Sequence, residues 1–176
     1  MRENGFTLIE LLIVTTLVGI IGIITTQIFI LGIKSQTRSE TLKEIKQNGD
    51  FAMSVMESMV RNAVDIQQIQ CNSNTSQLTI TNPDGNTTMF DCSSGNQISS
   101  ISAWPNPTPT GMVSLTSSKV DVSGCNFRIV CPTPPTSPKY VFINYTVNYS
   151  GTSLTPTPGS YNTLEYQSTI SLRNYQ

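Results

Sequence analysis

The sequence predicts an α+β fold, in which one long N-terminal α-helix, about residues 6–68, packs the C-terminal half of its length on an antiparallel β-sheet head. Three observations predict it. Residues 11–33 form an apolar run without a charged side chain. Apolar residues then recur at heptad spacing as far as Ile66. From Gln77 onward the alternation drops to a period of two, the mark of half-buried strands.

The run Leu11–Ile33 holds 23 residues, mostly Leu, Ile, Val and Thr, with Gly19, Gly22 and Gly32 among them. At about 1.5 Å per helical residue it reaches roughly 34 Å, enough to cross a bilayer core. A cleaved secretory signal is shorter and ends in an A-x-A-like site, which is not visible here. The segment therefore reads as a retained anchor. Thr15, Thr16, Thr25 and Thr26 weaken its hydrophobicity, but in a helix their hydroxyls can bond back to carbonyls one turn earlier or to a neighbouring helix. The orientation signals conflict. Lys34, Arg38, Lys43 and Lys46 follow the run, against Arg2 before it, and the positive-inside rule alone would keep the C-terminal part in the cytoplasm. The cysteines and the polar head favour its export, and they carry more weight.

Beyond Ile33 the helix turns amphipathic, over residues 34–70. Leu42, Ile45, Gly49, Ala52, Met56, Met59, Ala63 and Ile66 set the stripe, and Phe51, Val55, Val60 and Val64 widen it. Its expected partner is the chain's own head. Asn48-Gly49-Asp50 is a candidate kink, because Asn-Gly disfavours helix and Asp50 could cap a restart.

The head is expected over residues 71–176. Gln77–Asn82 and Asn86–Asp91 flank Pro83-Asp84-Gly85, a strong hairpin signal. Val120–Val130 contains either a strand pair or one strand bulged around Gly124-Cys125. Tyr140–Tyr149 places Val141, Ile143, Tyr145, Val147 and Tyr149 on one face, and Leu164–Arg173 alternates as cleanly. Trp104–Gly111, Pro132–Pro138 and Gly151–Ser160 read as Pro-rich loops, too poor in backbone donors for a sheet.

Composition narrows the chemistry. The formal net charge is −1 and only 12% of residues are charged, about half the usual share. From Cys71 onward the charges are Asp84, Asp91, Asp121, Glu165, Lys119, Arg128, Lys139 and Arg173. These supply no basic groove, so nucleic acid is not an expected partner. There is no histidine, which removes His-based acid–base catalysis, Ser–His and Cys–His nucleophiles, and imidazole metal ligands. Asp84, Asp91 and Asp121 form no calcium-loop spacing, and Asp84 is accounted for by its turn. No cofactor, metal or enzymatic activity is expected.

Cys71, Cys92, Cys125 and Cys131 include no CxxC pair and read as disulfides formed in an oxidising compartment. Three pairings are possible. Proximity in sequence favours Cys71–Cys92 and Cys125–Cys131, and closing a loop of about twenty residues would contribute roughly 3 kcal/mol in the chain-entropy model. Asn74, Asn86, Asn144 and Asn148 open N-x-S/T patterns, which a chain this rich in Asn, Ser and Thr produces by chance. Trp104, beside Pro105, reads as a core plug under its loop, with an exposed adhesive contact as the alternative.

Gly5-Phe6-Thr7-Leu8-Ile9-Glu10-Leu11-Leu12-Ile13-Val14 resembles the processing site of type IV prepilins and type II secretion pseudopilins. The resemblance covers about ten residues and is specific. It implies a leader, residues 1–5, removed by prepilin peptidase between Gly5 and Phe6, with methylation of the new Phe6 amine. It implies that residues 6–33 form the transmembrane and filament-core helix, and that Glu10 guides docking. The expected partners are other pilin or pseudopilin subunits and an inner-membrane assembly platform. The expected location is the cytoplasmic membrane, crossed once with the head exported, and then an extracellular or periplasmic filament. Subunits of long pili usually carry a proline in the second half of this helix, about where Gln27 stands, and none occurs here before Pro83. That departure favours a minor pilin or pseudopilin over an abundant fibre subunit. The alternative is a tip-located binding module of a type II secretion or DNA-uptake pseudopilus that recognises substrate or surface. Thr7-x-x-Glu10 also fits a helix capping box.

Overall fold

The computed structural model describes residues 7–67, 71–93, 96–103, 110–131, 138–150 and 163–173. One helix, α1 (Leu8–Asn62), is followed by nine strands: β1 (Asp65–Ile66), β2 (Asn74–Thr75), β3 (Gln77–Thr81), β4 (Thr87–Asp91), β5 (Ser99–Ala103), β6 (Thr110–Ser114), β7 (Val120–Val130), β8 (Tyr140–Tyr149) and β9 (Thr163–Ser171). The predicted α+β, pilin-like architecture is what the chain adopts. The chain divides into two units, one up to Glu40 and one from Thr41 onward.

In the second unit the strands form two antiparallel sheets, a five-stranded sheet in the order β1-β3-β4-β5-β6 and a four-stranded sheet in the order β2-β7-β8-β9. The hairpin around Pro83-Asp84-Gly85 closes as expected. Gly85 takes a positive φ of 80°, open to glycine at little cost, and the Asn86 N–H donates to Asp84 Oδ1 at 3.0 Å. Val120–Val130 is one bulged strand rather than a pair. Its register on β8 slips between Ser123 and Asn126, where Gly124 has a φ of 62°.

The core joins α1 to both sheets. Ile45, Ala52, Met56 and Val60 of the helix are fully buried, as are Leu78, Phe90, Phe127, Ile143 and Tyr145. Burying a side chain of this size is worth about 1.5–3 kcal/mol. Val141, Ile143, Tyr145 and Val147 point inward along β8, as alternation requires, and Leu164, Tyr166, Ile170 and Leu172 line the inner side along the last strand.

Several expectations need correction. The helix ends at Asn62, not near residue 68. The Val64 and Gln67 N–H groups donate to the Thr81 and Thr79 carbonyls at 2.8 and 2.9 Å, so residues 64–67 pair with β3. Ala63 and Ile66 are buried as the heptad demanded, but by an extended segment whose β-branched residues suit a strand. Phe51, Val64 and Leu42 are exposed rather than part of the buried stripe. The helix is unbroken at Asn48–Asp50, where the Asn48 side chain bonds the Glu44 carbonyl (2.9 Å) and accepts from the Ser117 N–H (2.8 Å). β6 begins at Thr110, inside the stretch read as a Pro-rich loop.

The disulfides join Cys71 to Cys131 and Cys92 to Cys125, with Cα–Cα distances of 5.6 and 6.0 Å. The pairing favoured by proximity fails for a geometric reason. Cys125 lies within β7 and Cys131 follows its end, so extended chain separates them by about 20 Å, beyond the roughly 7 Å a disulfide can bridge. Cys92 follows β4 and Cys125 sits at the bulge of β7, so that bridge fastens one sheet to the other.

Candidate functional site

The first unit presents the candidate site. Leu8 through Glu40 is exposed at every position, and between Leu8 and Ile33 the large apolar side chains Leu8, Leu12, Val18, Ile23, Phe29 and Leu31 point to all sides of the helix. Among the described residues, α1 is the one helix long and apolar enough to cross a membrane. A helix apolar all round requires either lipid or other helices around it.

The threonines in this stretch are internally satisfied. Thr16 Oγ1 donates to the Leu12 and Ile13 carbonyls at 3.0 and 2.8 Å, and Thr26 Oγ1 to Gly22 at 2.8 Å. Thr15 and Thr25 bond back in the same way. The hydroxyls thus add no unpaired polar group to an apolar surface, which lets them sit in hydrocarbon. Space beside Gly19, Gly22 and Gly32 is open.

Glu10 stands in the first turn. Thr7 precedes the helix, and the Glu10 N–H lies 3.1 Å from the Thr7 carbonyl and 3.4 Å from its hydroxyl oxygen. This is the Thr7 half of the capping box. A carboxylate here also faces the positive end of the helix dipole. The Glu10 side chain is exposed, in a helix that carries no other charged residue until Lys34. Gly5 and Phe6, where processing is expected, lie outside the described residues, as do Trp104 and most of the three Pro-rich loops.

In the second unit the polar groups considered from sequence serve local structure. Asp84 accepts from Asn86, and Asp91 accepts from the Ser93 N–H (2.8 Å) and hydroxyl (2.6 Å). Among the described residues no group of three or more His, Cys, Asp or Glu side chains converges as metal ligands would. Asn144 and Asn148 lie within β8, paired on both sides.

Sequence reasoning missed a tyrosine pair at the seam between α1 and the four-stranded sheet. The Tyr145 hydroxyl donates to the Gly49 carbonyl at 2.8 Å and the Tyr166 hydroxyl to the Lys46 carbonyl at 3.2 Å. The two rings stack with centroids 5.3 Å apart. Burial, then the negative charge of Asp50, pushes the Tyr166 phenol up to about 12. Burial also raises Tyr145, with neighbouring Tyr166 adding to it. Glycine in an otherwise regular heptad position was the available signal: it marks close approach as readily as a kink.

Residues 1–26 match the family model for the prokaryotic N-terminal methylation motif, the signal carried by type IV pilins and pseudopilins. No curated protein and no solved structure matches the chain. The motif and the apolar helix next to it support a type IV pilin-like subunit, and the motif implies assembly with other pilin subunits and processing by prepilin peptidase. Pilins of this motif are structural proteins.

Proposed function

We propose that the chain is a minor pilin or pseudopilin, inserted into a type IV pilus-like filament through its N-terminal helix after prepilin peptidase cuts between Gly5 and Phe6. The observation that carries this reading is the motif at residues 1–26 running directly into a helix exposed and apolar on every face. Before assembly the bilayer satisfies that surface, with the chain crossing the cytoplasmic membrane once and the head exported. An inner-membrane platform then passes the helix into a bundle of like helices, in an extracellular or periplasmic filament.

Glu10 gives the transfer a register. A carboxylate in a membrane helix costs about 2.5–3.5 kcal/mol on insertion scales and is held by a partner where one exists. The methylated amine of Phe6 on a neighbouring subunit is that partner. The absence of proline up to Pro83 supports minor rather than major abundance.

Mass spectrometry of filaments sheared from the native cells tests the reading. The expected result is an N-terminal peptide beginning with methylated Phe6, at low ratio to another pilin. Filaments lacking the chain, in cells that retain it with Met1–Gly5 attached, would sink the proposal.

A further inference from the structure

The chain has four cysteines and all four are bonded, Cys71 to Cys131 and Cys92 to Cys125, so one bridge is nested inside the other. Neither joins cysteines that follow one another in the chain. Each needs the folded head to bring its partners together. Asn74 stands opposite Arg128 and Thr75 opposite Phe127, and the same register carried three residues outward sets Cys71 opposite Cys131. Cys92 follows β4 in one sheet and Cys125 lies in β7 of the other, so these two meet only once both sheets have formed.

We propose that the head is a substrate of a thiol–disulfide isomerase, which rearranges a consecutive pairing into the nested one. In an unfolded chain the entropy of loop closure decides which cysteines meet, and shorter loops win. Cys71–Cys92 closes about a third of the interval that Cys71–Cys131 does, which favours it roughly fivefold, and on the same scaling Cys125–Cys131 is favoured over Cys92–Cys125 by roughly tenfold. Export strengthens the bias, because Cys71 and Cys92 enter the oxidising compartment ahead of the other two. Oxidation before folding therefore yields Cys71–Cys92 and Cys125–Cys131. That state cannot fold into the native one, since β7 is extended from Val120 to Val130 and holds Cys125 and Cys131 too far apart for a bond. Nor can it repair itself, because there is no fifth cysteine to supply a thiolate.

The exchange balances with no net oxidation or reduction. A thiolate of the isomerase attacks Cys131 of the Cys125–Cys131 bridge, forming a mixed disulfide and releasing Cys125 as a thiolate. Cys125 attacks Cys92 of the Cys71–Cys92 bridge, forms the first native bond and releases Cys71. Cys71 then attacks Cys131 of the mixed disulfide, forms the second native bond and returns the isomerase thiolate. Folding closes the route back. Cys92, Cys125 and Cys131 are half-buried against the core, which restricts the approach of an attacking thiolate.

The inference takes only export to an oxidising compartment from the pilin-like reading. It is tested on the purified full-length chain in uncharged detergent, so it can fail or succeed whatever the N-terminal peptide proves to be. The dilute chain is reduced and unfolded in guanidinium, oxidised there with diamide, and returned to native buffer. Trypsin with Asp-N, cutting at Asp84, Lys119 and Arg128, separates the four cysteines, and mass spectrometry reads the pairing. After oxidation the consecutive pairing should exceed the nested one by at least about fivefold. It should persist in native buffer without thiol. Catalytic amounts of reduced protein disulfide isomerase should convert it to the nested pairing at least about tenfold faster than the same enzyme with its cysteines alkylated. Cys71→Ser combined with Cys131→Ser leaves one possible bond, and its yield of Cys92–Cys125 should be the same with either enzyme, which separates action on pairing from action on folding. Nested pairing formed directly in the denatured chain, conversion without thiol, a mispaired chain that the active isomerase leaves unchanged, or isomerase dependence of the single-bridge variant overturns the proposal.

Discussion

The ring of Tyr166 occupies the space into which a side chain at Gly49 would project: a Cβ built on Gly49 overlaps the ring atoms and the hydroxyl. Gly49 sits inside a continuous helix, where glycine is about 1 kcal/mol worse than alanine. Its presence trades helix propensity for close contact between α1 and β9.

Gly49→Ala should therefore destabilise the fold, by about 1–3 kcal/mol, despite the better helix former. In a Tyr166→Ala background the same substitution should become neutral or stabilising by up to about 1 kcal/mol. Urea unfolding of the four members of the cycle checks it. The same sign in both backgrounds would rule out the steric account.

The tyrosine seam predicts weakness to alkali. Both phenols are raised from the usual value of 10, Tyr166 to about 12 and Tyr145 by burial likewise upward. Below pH 10 they are neutral in the folded and unfolded chain, so their contribution is constant there. As pH rises from 10 towards 12 the unfolded chain releases its protons first, and stability falls. Thermal melts from pH 8 to 12 should show the midpoint dropping above pH 10, with a smaller drop in Tyr166→Phe.

Acid acts at a different point. Lys139 Nζ lies 2.6 Å from Asp65 Oδ1, and that bond holds the carboxyl below its ordinary value. Its contribution is present above pH 3.8 and lost as pH falls further. The pair is exposed, so Lys139→Ala should cost less than about 1 kcal/mol at pH 7, and the difference from the parent should shrink at pH 3.

Glu10→Gln should leave unfolding of the head unchanged to within about 0.5 kcal/mol, because the Glu10 side chain is exposed. Its effect should appear in the fraction of chain recovered in sheared filaments. Normal recovery removes Glu10 from the assembly step.

Much of this was legible in the sequence, for identifiable reasons. Residues 11–33 announced themselves by the absence of charge, and the β3–β4 hairpin by Pro83-Asp84-Gly85. β8 and β9 were readable because each has one face in the core and one in water. β5 was not, since Ser99-Ser100-Ile101-Ser102-Ala103 offers one large apolar residue and no alternation. The cysteine pairing depended on β7 being extended between Cys125 and Cys131, a fact about the strand and not about spacing. The contact of the Arg128 guanidinium with the Phe142 ring needed register: Arg128 and Phe142 lie fourteen positions apart in the chain and only pairing makes them neighbours.

The Cys71–Cys131 bridge also decides how the chain would carry a pull. Tension applied to its two ends runs along the backbone to Cys71 and crosses directly to Cys131, skipping the sixty-residue interval between them. That interval contains β2 to β7, which make up four of the five strands of one sheet and two of the four strands of the other. Fully stretched it would lengthen the molecule by about 200 Å, and the covalent shortcut withholds that slack. Under load these strands are passengers, and the force falls on α1 and β1 at one end and on β8 and β9 at the other.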